Sequence, residues 1–134
     1  AADVAAFLGV DVRALRWLTY HREVAAVTHY RQFEVPKAKG GTRTISAPRP
    51  RLRAALQVVR TKLVDLLPPT EQAHAFVPGR STVTNARAHL RPSVLVKIDI
   101  RDFFGTITLP RVRGLFEHLG YSGAVATLLG LLCT

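Results

Sequence analysis

Hydrophobic positions along this chain follow two rhythms, one helical and one alternating, separated by sharp glycine and proline boundaries. Residues 3–9 form a short apolar run closed by Gly9, which predicts a helix stopped by a glycine. Asp11 then has the chemistry of an N-cap for a second helix to about Leu18, with Leu15, Trp17 and Leu18 as apolar members. From Tyr30 the period shortens to two. Phe33 and Val35 alternate with Gln32 and Glu34, Pro36 breaks the run, Gly40-Gly41 offers turn chemistry, and residues 42–46 read as a returning strand. Residues 30–46 are thus predicted to be a hairpin. After Pro48 and Pro50, the positions Leu52, Leu56, Val59, Leu63, Leu66 and Leu67 recur at helical spacing, predicting one helix that ends at Pro68-Pro69.

The second half begins with a mixed, Gly/Pro-punctuated stretch, 71–93, in which Ser81 to Ala88 has the makings of a short helix. Val94 to Ile100 is the clearest strand in the sequence. Val94, Val96, Ile98 and Ile100 share one face, with Leu95, Lys97 and Asp99 on the other. Pro110 opens a helix that Gly120 closes, and Ser122 caps another that continues to the last residues. No internal repeat occurs. Helices, hairpin, helix, strand and helices in that order predict an α+β architecture and not a doubly wound sheet.

A chain of 134 residues with 48% hydrophobic content has enough apolar surface for one buried core, which excludes a disordered tail, a collagen and a disulfide scaffold. The single cysteine, Cys133, has no internal partner, which fits a reducing compartment or simple indifference; the setting expected for the chain is cytoplasmic. The longest apolar stretch, Gly123 to Cys133, is about half the ~20 residues of a spanning helix, so no membrane partner is expected. The first residue is not Met and the last residues lie inside a helical pattern, which predicts a piece of a longer chain. Charge changes the picture most. The net charge is +10, and residues 13–62 alone carry twelve basic side chains against two acids, Glu23 and Glu34. An excess of that size over fifty residues points to a polyanion, nucleic acid above all.

Four groups of residues have candidate chemistry. Asp99 is a carboxylate on an apolar strand; either a hard divalent cation compensates it, or it sits solvated at the strand end, paired with Arg101. Asp102, three residues on, is a second candidate ligand at a spacing common in surface carboxylates. Lys37, Lys39 and Arg43 surround the hairpin tip, where cations can swing over a triphosphate. Phe76 and Arg80 share a compact turn, Ala73 to Ser81; by itself the ordinary reading makes Phe76 core and Arg80 surface, and the functional one makes them a single-strand contact. The five histidines show no metal-ligand spacing, and no Gly-rich phosphate loop is present.

Taken together, residues 37–48 (KAKGGTRTISAP), 74–85 (HAFVPGRSTVTN), 96–107 (VKIDIRDFFGTI) and 111–133 (RVRGLFEHLGYSGAVATLLGLLC) resemble the prokaryotic retron-type reverse transcriptases, a group that includes group II intron and diversity-generating enzymes. The resemblance covers nearly the whole chain from about residue 7. It implies a right-hand polymerase, with fingers over 1–93 and the first part of a palm over 94–134. Asp99 then matches the first catalytic, metal-binding aspartate, and Ile100 the residue whose backbone carbonyl helps hold one of two Mg²⁺ ions. Lys37 and Arg43 match the cations that grip a dNTP. Phe104 matches the aromatic that excludes a ribose 2′-OH, with Asp102 and Phe103 beside it at the nucleotide. Phe76, Gly79 and Arg80 match a segment near the template.

The implied activity is RNA-directed DNA polymerisation, adding dNTPs to a primer 3′-OH on an RNA template. The implied partners are RNA template, DNA primer and product, and dNTP, with a structured non-coding RNA as a further candidate and antiviral defence as a setting. Two departures stand out: Gly105-Thr106 replaces the family's usual Pro-Ser, and no Tyr-x-Asp-Asp motif occurs. The chain alone is therefore expected to be inactive, with the rest of the polymerase needed in cis or in trans. The rival expectation is a non-catalytic RNA-binding or assembly module derived from the fingers.

Overall fold

The computed structural model describes residues 1–20, 29–38 and 40–134; Lys39, one of the tip cations, lies outside them. Its described residues form an α+β arrangement of six α-helices and one two-stranded antiparallel ribbon.

Local chemistry sets most of the boundaries. Helix α1 (Ala2–Leu8) stops where Gly9 takes φ 69° and ψ 31°, a left-handed conformation that costs glycine nothing. Helix α2 (Val12–Leu18) starts at Asp11, whose Oδ1 accepts the Ala14 N–H at 2.7 Å. Strands β1 (Tyr30–Pro36) and β2 (Thr42–Pro48) pair with Phe33 opposite Ile45 and Val35 opposite Arg43. The returning strand runs two residues past Ser46, to Pro48. Helix α3 (Pro50–Lys62) follows at once, Pro50 filling a first-turn position where no N–H is needed. Helix α4 (Thr82–Arg87) is short; α5 (Leu109–His118) and α6 (Gly123–Cys133) form an antiparallel pair.

The core is helical. Leu15, Leu52, Leu129 and Leu132 are fully enclosed, joined by Val4 and Leu8 of α1 and Phe116 of α5. Where α5 and α6 meet, Gly130 faces the Leu109 side chain: a Cβ there would lie 2.8 Å from Leu109 Cδ1, which would have to swing aside, and 3.6 Å from the Arg113 backbone nitrogen, an ordinary contact. The hairpin buries little of itself and is fastened to the helices through His29. Its ring Nε2 donates to the Trp17 carbonyl at 2.7 Å, and its own carbonyl accepts the Arg49 N–H at 2.8 Å. The ring also meets the Trp17 indole edge-on, with centroids 4.2 Å apart, and Nδ1 is buried without a partner among the described residues. One residue thus joins α2, the base of β1 and the start of α3.

Two expectations fail. The helix predicted to reach Pro68-Pro69 ends at Lys62, followed by a single 3₁₀ turn at Val64–Leu66. Pro68 pushes Leu67 to extended geometry (φ −81°, ψ 132°), and Leu66, 74% exposed, finds no core to continue the helix against. The strand predicted over Val94 to Ile100 is also absent: these residues are irregular, and Val96 and Ile98 are 74% and 83% exposed. A strand needs a neighbour for its N–H and C=O groups, and the ladder of the described residues joins only β1 and β2. The β-branched pattern is real, but nothing pairs with it. Asp99 is accordingly exposed, not set in a buried sheet. No helix among the described residues is long and apolar enough to cross a membrane.

Candidate functional site

Asp99, Asp102, Phe103 and Phe104 lie on one exposed stretch that ends in a tight turn. Asp102 adopts φ 48°, an uncommon left-handed value for a non-glycine residue, and its carboxylate packs against the α-carbon of Gly105. The 3₁₀ turn Phe104–Thr106 follows, closed by the Thr106 hydroxyl donating to the Phe103 carbonyl at 2.7 Å. Arg111 of α5 donates to the Thr106 carbonyl at 3.2 Å, tying the turn to the helical body. The Phe103 and Phe104 rings meet edge to face at 5.7 Å, leaving Phe104 81% exposed. Gly105, one of the two departures from the resembled pattern, gives the Asp102 carboxylate the space a Cβ would fill. The ion pairs of the described residues are Arg60–Asp65 and Arg113–Glu117, so Asp99 and Arg101 are not joined in one.

Lys37 and Arg43 meet at the hairpin tip. The Lys37 N–H donates to the Gly41 carbonyl at 2.9 Å and the Gly40 N–H to the Lys37 carbonyl at 3.1 Å, closing the turn. Gly40 and Gly41 take φ 90° and 80°, values that suit glycine. Both cations are exposed. No hydrogen bond or ion pair among the described residues joins the tip to the Asp99 stretch.

The turn carrying Phe76 is braced from within. Arg80 Nη1 donates to the carbonyls of Thr70, Glu71 and Ala73 at 2.6, 3.0 and 2.5 Å. His74 Nδ1 lies 3.0 Å from Thr84 Oγ1, and Ser81 and Thr84 form a capping box on α4. Gly79 takes φ 75°, Phe76 takes φ 58°, and Phe76 is wholly exposed. Phe76 is therefore not core, and Arg80 holds the turn's own backbone. Nη1 carries two hydrogens, which the three carbonyls share, so the brace as a whole contributes on the order of 1.5–3 kcal/mol before solvent screening reduces it. Arg80→Gln is expected to loosen residues 70–80 selectively, read as faster amide exchange there with exchange in α5 and α6 unchanged.

A fourth feature went unmarked in the sequence. Arg31 and Phe33 of β1, Arg49 at the N-cap of α3 and Arg53 within α3 border an open groove of about 680 Å³. Its signal was there: Arg31 and Phe33 are two apart on a strand, and Arg49 and Arg53 four apart across a helix start. Neither pair stands out until the hairpin packs on the helix.

No family model matches the chain. Individual relatives do. It is 46% identical over 134 residues to the retron Mx162 reverse transcriptase and 48% identical over 132 residues to the retron Mx65 reverse transcriptase, both of Myxococcus xanthus. These alignments take in 100% and 98% of the chain. The chain belongs to the retron reverse transcriptases. A more distant relative, the retron Ec86 reverse transcriptase of Escherichia coli, is 31% identical over 134 residues. The chain spans 28%, 31% and 40% of the lengths of these three relatives.

Membership in the retron reverse transcriptases agrees with the four sequence blocks, all of which fall inside the alignment to the Mx162 enzyme. Three of the matched groups form separate exposed features of the structure: the Asp99 to Phe104 stretch, the hairpin tip, and the Phe76 turn. Among the described residues no three His, Cys, Asp or Glu side chains gather into a metal-holding cluster. The donors the matched residues offer are the Asp99 carboxylate and the Ile100 carbonyl, both hard oxygens of the kind Mg²⁺ takes together with substrate phosphates.

Proposed function

We propose that this chain contributes the fingers (1–93) and the first part of the palm (94–134) to a polymerase that copies RNA into DNA. The observation that carries this reading is the exposure of Asp99 and Phe104 on one short stretch. A carboxylate and an aromatic five residues apart give nothing to the core and stand open to a ligand. Whole-chain similarity to retron reverse transcriptases supports the assignment.

In this reading Asp99 and the Ile100 carbonyl hold Mg²⁺, which when bound supplies positive charge to the phosphate oxygens. Lys37, a compact charge, and Arg43, a planar fork, grip the triphosphate from the hairpin tip. Phe104 lies under the sugar, with Phe103 propping its ring and Asp102 fixing the turn. Phe76 and Gly79 face the template, and Arg80 keeps their turn in shape. The partners are RNA template, DNA primer and dNTP, and a structured non-coding RNA is a further candidate.

The test uses a full-length polymerase that contains this chain, assayed by primer extension on RNA with each nucleotide type. DNA synthesis is expected from dNTPs, and Phe104→Val is expected to raise relative rNTP use by opening space for the 2′-OH. The readout is the ratio of kcat/KM values for dNTP and rNTP. An unchanged ratio removes Phe104 from the nucleotide site. Absence of extension by the unmutated protein favours the second reading, a non-catalytic RNA-binding module, which rests on the basic half of the chain alone.

A further inference from the structure

The turn that follows Asp99 is built around a missing side chain. Gly105 does not take a left-handed φ, so its backbone is one that alanine also adopts. What glycine supplies there is room. A Cβ on Gly105 would overlap Oδ2 of Asp102 and lie 2.9 Å from its Cγ and 3.1 Å from its Oδ1. Among the described residues that carboxylate has no hydrogen bond or ion pair, so its packing on Gly105 is what seats it. Asp102 itself holds φ 48°, a conformation that a residue with a side chain keeps only where its surroundings impose it. That φ sets the direction of the chain into Phe103 and Phe104. The far side of the turn is fixed separately, by the Thr106 hydroxyl on the Phe103 carbonyl and by Arg111 on the Thr106 carbonyl.

We propose that Gly105 is a positioning residue for sugar discrimination: the space it leaves seats the Asp102 carboxylate, which holds the turn that aims the Phe104 ring. A side chain at 105 expels the carboxylate. Asp102 then loses what imposes its left-handed φ, the chain rotates at that residue, and the ring is displaced while the helices stay in place. An aromatic ring excludes a 2′-OH only while it is held where the hydroxyl would go, so its displacement admits ribonucleotides. The proposal rests on the reading of Phe104 as the residue under the sugar.

The experiment is primer extension on RNA by a full-length polymerase that contains this chain, with kcat/KM measured separately for dNTP and rNTP. Gly105→Ala is expected to raise relative rNTP use about 10-fold, below the ~100-fold that a 1 Å misplacement can cost. General loss of structure would lower both substrates alike and leave the ratio in place. Melting temperature is expected to hold, since Gly105 and Asp102 are both exposed. Asp102→Gly removes the carboxylate, and adding Gly105→Ala to it is expected to change the ratio no further. In Phe104→Val the ring is gone, and adding Gly105→Ala is again expected to leave the ratio where it was. An unchanged ratio in Gly105→Ala, a lowered melting temperature, or additive effects in either double variant overturns the proposal. If Phe104→Val alone shifts the ratio and Gly105→Ala does not, only the role of Gly105 falls. If neither shifts it, or the unmutated polymerase fails to extend, the reading of Phe104 and this role fall together.

Discussion

Asp99→Asn in a full-length polymerase carrying this chain is expected to cut primer extension by at least about 100- to 1,000-fold, the scale on which a single preorganised electrostatic contact acts on a transition state. Asparagine keeps the size and the hydrogen-bonding capacity of the side chain and removes only its charge. Melting temperature is expected to stay put, because Asp99 is exposed and has no ion-pair partner among the described residues. Extension and melting should be measured on one preparation. Near-normal extension with a lowered melting temperature would refute the metal-ligand role and make Asp99 a structural carboxylate.

Leu52→Ala is expected to destabilise the fold by about 2–5 kcal/mol, since Leu52 is 1% exposed and truncation leaves a cavity in addition to the lost transfer energy. The loss reaches beyond stability. Leu52 anchors the first turn of α3, beside Arg49 at its N-cap and Arg53 within it, so the nucleic-acid binding proposed for the basic half of the chain is expected to weaken as α3 loosens. Leu66→Ala serves as the contrast: with Leu66 74% exposed, the change is expected to stay within about 0.5 kcal/mol. Urea midpoints of both variants check the pair, and a large effect at Leu66 would mean that the residues after Lys62 pack more closely than the structure shows.

The contrast between these leucines shows what the sequence alone conveys. Gly9, Asp11, the Gly40-Gly41 tip and Pro50 act through their own backbone neighbours, so their consequences could be read within a few residues of each. Leu66 and Val94 to Ile100 carry apolar periodicity whose meaning depends on a surface elsewhere. Leu66 keeps step with Leu52 and Val59, yet it falls after the chain has turned away from the core. Val96 and Ile98 have the β-branched alternation of a strand, while β-structure is a property of pairs. The candidate site divides the same way. Its residues were legible through resemblance, whereas the brace made by Arg80 and the groove between β1 and α3 come from contacts distant in sequence. Gly105 is a middle case: a departure visible in the sequence that acquires a reason only beside the Asp102 carboxylate.

The uncovered run from Val94 to Ile100 is expected to promote self-association of the chain in solution. It is seven residues without proline, rich in β-branched side chains, and its two charges, Lys97 and Asp99, cancel. Such a segment readily zips onto a copy of itself. What holds copies apart is their shared charge of +10, and dissolved salt weakens that repulsion within a Debye length of about 8–10 Å. Raising salt to strip off nucleic acid therefore also brings these sticky edges together. Diluting the protein as the salt rises separates the two effects, and light scattering recorded beside every binding curve distinguishes a change in binding from the onset of clumping.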